Sequence, residues 1–239
     1  MDRNRYQAIV LRMMAEGEIR LARHSKALMV KQAKYAADAY KNGETISSIP
    51  NGVSDWNRLL ITHYAVTTKT FGNFTSEQLG GTKASFETLA NGFIARSALY
   101  RSSIINQTTL EAIADAIRKG QEEGLGQNEI AKLIRDSVGG AIANYRARTI
   151  ARTEIHNAAT YASQLAAEQS ERPLIREWVS AEDSRARPAH AEANGQQREL
   201  FTPFEIDGEL IQRPGEGSPE NAINCRCTLM YIPKSIAEL

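Results

Sequence analysis

Six of the seven prolines lie after Glu171, and the first 170 residues contain only Pro50. Proline removes a backbone donor and fixes φ, so it interrupts helices and central strands alike. The distribution therefore divides the chain into a long stretch free to form helices and a shorter one forced into turns and short strands. The expected fold class is α+β. A mostly helical N-terminal region and a helical hairpin precede a small C-terminal α+β domain with a short antiparallel sheet. The expected boundaries are 1–105 for the N-terminal region and 106–239 for the remainder, with helices over 108–170 and the α+β part over 171–239. No internal repeat is visible.

The 239 residues suffice for a real hydrophobic core. A formal net charge of +1 gives no long-range attraction to a polyanion, so any DNA contact must be local. No window approaches the ~20 apolar residues needed to cross a bilayer, and the first residues lack the apolar run of a secretion signal. The expectation is a protein made in the cytoplasm, with no membrane partner. Two cysteines, Cys225 and Cys227, are too few for a disulfide framework and in a reducing compartment remain thiols or metal ligands.

From about Tyr6 to Lys41, Met14, Leu21, Leu28 and Tyr35 recur every seven residues, one narrow apolar stripe on a helix. Glu18, Ser25 and Gln32 fill the would-be partner column, which argues against a self-associating coiled coil. Structural packing is the default for such a stripe. Its narrowness and charged flanks also make this helix the expected docking segment, so that a chain lacking residues 1–45 is expected to fold but not to join its assembly.

Beyond the turn-like SSIPNG, two helical faces follow: Trp56, Leu59, Leu60 and His63, then Phe86, Leu89, Ala90, Phe93 and Ile94. His63 is expected to be a core or boundary residue without function. Thr108 and Glu111 form a capping-box pattern that predicts a helix start, with Gly124 as its stop. A second arm carries Ile130, Leu133 and Ile134 and ends at Gly139 and Gly140, completing a hairpin across GLGQ. Next, Ala151, Ile155, Ala158, Ala162 and Leu165 give a small-residue face for close helix contact. The other side of that helix bears Arg152, Thr153, His156 and Asn157. Either this polar side is solvated, or it ties the helix to the C-terminal domain.

IREWVS and CRCTLMYIP read as strands, and QRELFTPFEIDGELIQ as extended pieces around an Asp207-Gly208 turn. Between them, AEDSRARPAHAEANGQ has no apolar periodicity and must be a surface loop unless its polar groups are paired internally.

The combination of ARTEIHNAA, W-x-S-x-x-D-x-R-x-R-x-x-H ending at His190, Gly195, and P-x-x-x-I-N-C-R-C-T-L resembles the phage head morphogenesis family, the Mu F-like minor head proteins. The resemblance covers roughly residues 108–232; the first hundred residues are only generically similar. It implies a virion component in the head interior or at the portal vertex, present in few copies and acting in head assembly or genome packaging and delivery. The implied partners are the portal protein, the major capsid protein and packaged DNA. No catalytic activity and no cofactor are implied.

Some relatives have Cys-x-x-Cys where this chain has Arg187-Pro-Ala-His190, which with the later Cys-x-Cys would make a four-thiolate zinc site. Here one ligand position is Arg187, and zinc would have to rest on His190, Cys225 and Cys227 with Asp183 or water as fourth ligand. Relatives also often place a helix-capping serine where this chain has Gln127. The expectation is instead a metal-free polar clasp formed by Arg152, Glu154, Asp183, Arg185, Arg187, His190, Gly195, Asn224, Cys225 and Cys227. In it Arg185 and Arg187 grip Asp183 or Glu154, Asn224 ties the loop to the last strand, and the two cysteines face one way on that strand. Two rival roles use overlapping residues. A DNA-binding internal protein would use Arg146, Arg148, Arg152 and the clasp arginines. A metal-assisted nuclease or hydrolase would use Asp183, His190 and Asn224, although no phosphate loop, nucleophile elbow or His-Glu-x-x-His supports it.

Overall fold

In a computed structural model, residues 2–44, 52–181 and 186–234 are described. The element order is α1 (Arg3–Lys41), α2 (Val53–Gln78), α3 (Phe86–Leu89), α4 (Asn91–Glu122), α5 (Gln127–Val138), α6 (Gly140–Gln169), β1 (Leu174–Val179), α7 (Pro188–Glu192), β2 (Gln197–Glu199), β3 (Phe204–Ile206), β4 (Glu209–Ile211), α8 (Pro219–Ala222) and β5 (Thr228–Pro233). The class is α+β. Helices occupy the N-terminal part, and small antiparallel sheets the C-terminal part. Two compact units emerge. One comprises residues 1–18, 63–92 and 152–239, the other 19–62 and 93–151.

Among the described residues of the unit 19–62 and 93–151, the regular elements are all helices. Its core includes Leu21, Met29, Trp56, Leu60, Ile94, Ile113 and Ile134. Gln32, expected to be a polar interruption, bridges helices instead: it accepts from Trp56 Nε1 at 3.1 Å and donates to Asn106 Oδ1 at 3.0 Å. Helix α4 stops as expected. Gly124 adopts φ +68°, Leu125 N donates to Gly120 O and Gly124 N to Gln121 O, the two-bond Schellman closure that needs a left-handed residue. Gln127 opens α5, and its amide donates to the carbonyls of Tyr40 and Lys41, closing the end of α1. The SSIPNG turn lies outside the described residues except for Gly52.

Three helical expectations need correction. Thr108 does not start a helix; its hydroxyl bonds back to Ile104 O inside α4. The buried sequence Ala98, Ser102, Ile105, Thr109, Ile113 continues the helical period straight through, and this outweighs a two-residue capping pattern. Leu89, placed on a core face, is half exposed. The seven-residue stripe of α1 is the third. A straight α-helix drifts by ~20° per heptad, so three heptads carry Tyr35 about 60° from Met14. Tyr35 is 47% exposed, and Ser25, Met29, Ala33 and Ala36 take over the buried line.

In the unit of residues 1–18, 63–92 and 152–239, the start of α1 is buried within the fold. Tyr6 donates to Leu229 O at 2.9 Å, Gln7 donates to Ser180 O, and Gly17 lies against Ile155. Of the stripe itself, Met14 and Leu21 are buried in the chain's own core, while Tyr35 stays half exposed. The sheet has order β2-β1-β5, antiparallel throughout, with Trp178 opposite Leu229 and Val179 opposite Thr228. Strands β3 and β4 form the expected hairpin, with Asp207 and Gly208 both at positive φ, as a two-residue type I′ turn requires. A core of Leu79, Ala167, Trp178, Phe204, Ile206, Ile211, Leu229 and Tyr231 closes this unit and includes both cysteines.

Candidate functional site

The polar side of α6 is tied down rather than solvated. Thr153, His156, Asn157 and Thr160 are all buried, and their partners come from the segment 213–227. His156 Nε2 lies 2.7 Å from Cys227 O. Thr153 Oγ1 accepts from Asn224 N at 3.2 Å. Arg213 Nη1 donates to Asn157 Oδ1 at 3.0 Å and to Thr160 Oγ1 at 2.9 Å, and Thr160 donates to Pro214 O. The alanine face of the same helix, Ala151 through Ala162 with Ile155, is buried as expected. Gly215 is required where this segment passes α6. Its φ is +92°, and a Cβ there would stand 2.9 Å from His156 Nδ1.

Asn224 adopts φ +60° and accepts from Arg152 Nη1 at 3.2 Å, so it ties the segment to α6 and not, as expected, to the last strand. Arg152 also approaches Glu18 at 3.5 Å. Glu154 accepts from the Tyr64 hydroxyl. Arg187 donates to Ile223 O at 2.5 Å. Gly195, at φ +81°, ends the turn after α7 and donates to Trp178 O. Asp183 and Arg185 lie outside the described residues.

Helix α7 delivers His190 into the core in a T-shaped contact with Trp178, ring centroids 5.6 Å apart. The loop expected at the surface is thus internally paired at this residue. His190 Nδ1 stands 3.4 Å from Cys227 Sγ and 3.6 Å from Cys225 Sγ, and Nε2 stands 3.1 Å from Asn221 Oδ1. The cysteines precede β5 rather than lying on it, yet both sulfurs face the imidazole. All three side chains are 2–3% exposed. Burial opposes protonation of His190, but its bonds to Cys227 and Asn221 outweigh this and raise its pKa. The thiols split: Cys225 is lowered chiefly by its bond with Cys227, while that contact and burial push Cys227 up. Burial lowers the pKa of His156, so it is the neutral ring that bonds Cys227 O.

These bonds hold a segment in place. His190 and Asn224, imagined as parts of one reacting cluster, are engaged with different partners. Sulfurs buried to this degree offer no direct approach to a substrate. Five contributors were missed from sequence: Arg176, Arg213, Asn221, Tyr64 and Gly215. Arg176 is fully buried on β1 and donates to the carbonyls of Glu199, Thr202 and Gln212. A guanidinium on a short, apolar strand was the one available signal for it.

A family model described as phage Mu protein F like protein matches residues 111–230, half of the chain. The chain belongs to this family, and its class is that of phage head morphogenesis proteins. No curated protein and no solved structure matches. Membership implies association with other head components and a place in the virion. Among the described residues no helix is long and apolar enough to cross a membrane.

Proposed function

We propose that the chain is a minor head protein of a tailed phage that acts without catalysis, by protein-protein binding in head assembly and in genome packaging or delivery. Synthesis takes place in the host cytoplasm, and the final location is the head interior or portal vertex. The partners are the portal protein, the major capsid protein, or both. One observation carries this role: the residues that give the family motif its identity, from Arg152 to Asn157 and from Asn221 to Cys227, are bonded to one another across the fold. Groups spent on internal ties are free neither to bind a substrate nor to transfer a proton. The molecule's work then falls to its outer surfaces.

A DNA-binding role loses most of its expected contacts. Arg146 bonds Thr109, Arg152 bonds Asn224 and approaches Glu18, and Arg187 bonds Ile223 O, whereas Arg148 is exposed. Purified heads carrying a tagged copy decide the matter. The chain is expected to sediment with heads in few copies, to yield density near the portal vertex, and to remain bound in high salt. Absence from particles contradicts the role. Retention on DNA that falls steeply between about 50 and 200 mM salt would favour phosphate contacts instead.

A further inference from the structure

We infer that His190, Cys225 and Cys227 form a zinc site. The three donor atoms lie within 4.8 Å of one another, on side chains drawn from α7 and from the segment before β5. Zinc-ligand bonds of ~2.3 Å to sulfur and ~2.0 Å to nitrogen, opened to the tetrahedral angle, place nitrogen and sulfur about 3.5 Å apart. The separations from Nδ1 are 3.4 and 3.6 Å. A hydrogen bond between imidazole and thiol requires one sulfur at this distance; an ion requires both.

The outer contacts point the same way. Asn221 Oδ1 can only accept, and it faces His190 Nε2 at 3.1 Å, while the amide nitrogen of Asn221 is turned to Ile206 O. The ring proton is thereby fixed on Nε2, and the lone pair of Nδ1 is aimed at the two sulfurs. A histidine ligand whose other nitrogen donates to a fixed oxygen is the usual supporting arrangement for a metal. Its T-shaped contact with Trp178 fixes the ring's orientation. Two soft sulfurs with one imidazole select zinc over magnesium or calcium, which take oxygen ligands. Three of the four tetrahedral positions are thus filled from the described residues. With every ligand 2–3% exposed, the ion's part is to join α7 to the segment before β5.

The test is metal content of the full-length chain, purified without chelator or affinity metal, followed by cobalt substitution. About one zinc per chain is expected, together with thiolate-to-cobalt charge transfer and the intense visible bands of tetrahedral cobalt. His190→Ala and Cys225→Ser should each bind at least ten-fold more weakly. His190→Cys, which restores a third soft ligand, should regain stoichiometric binding and so separates lost ligation from misfolding. Absence of metal after reconstitution of the reduced wild-type protein overturns the site, as does Cys225→Ser binding cobalt with the wild-type spectrum. Neither result bears on the role in the head.

Discussion

Arg176→Met is expected to destabilise the protein by about 3–5 kcal/mol, measured by urea unfolding. The guanidinium is fully buried on β1 and reaches the carbonyls of Glu199, Thr202 and Gln212, together with the side-chain oxygen of Gln212. It also lies over the Phe204 ring, 5.3 Å from its centroid. Each carbonyl left without a partner in the interior costs about 1–3 kcal/mol, and methionine fills the stem's volume but donates nothing. The loop from β2 to β3 and the exit from β4 should lose protection from hydrogen exchange first, because Arg176 gathers them onto β1. A change below about 1 kcal/mol would mean that these carbonyls find other donors.

Removing residues 1–18 is expected to abolish the cooperative fold of the unit to which they belong. Tyr6, Val10 and Met14 are 3–5% exposed, and truncation of one large buried apolar side chain alone costs roughly 2–5 kcal/mol. The bonds from Tyr6 to Leu229 O and from Gln7 to Ser180 O disappear with them. These losses together exceed the net stability of an ordinary domain, about 5–15 kcal/mol. The truncated chain should lose its near-ultraviolet circular dichroism and its sharp melting transition. A soluble truncation with a native spectrum, defective only in joining heads, would contradict this and assign α1 the docking role expected of it.

Much of the C-terminal part was legible because its signals are local. Strands β1 and β5 announce themselves by β-branched and aromatic residues, and the Asp207-Gly208 turn by the only geometry that suits both residues. The polar side of α6 was visible as a pattern, but its partners were not. They come from residues about 55 to 70 positions later, a separation that helical periodicity cannot express. Arg176 escaped for the same reason: its partners lie 23 to 36 residues downstream. Thr108 misled in the opposite way, since a local capping pattern was outvoted by an apolar period running the length of α4. The candidate clasp was legible in membership more than in connectivity. His190, Cys225 and Cys227 do meet, Asn224 bonds α6 rather than the last strand, and Arg187 reaches the Ile223 carbonyl.

That the motif residues lock the fold is tested most directly by unfolding His156→Leu in urea while counting its copies in purified heads. His156 is 1% exposed and its Nε2 meets Cys227 O, so leucine preserves volume and removes only the tie. A loss of about 1–3 kcal/mol is expected, with incorporation falling only as far as the folded fraction falls. Unchanged stability together with a lost assembly function, or with the loss of a measurable turnover, would contradict the lock.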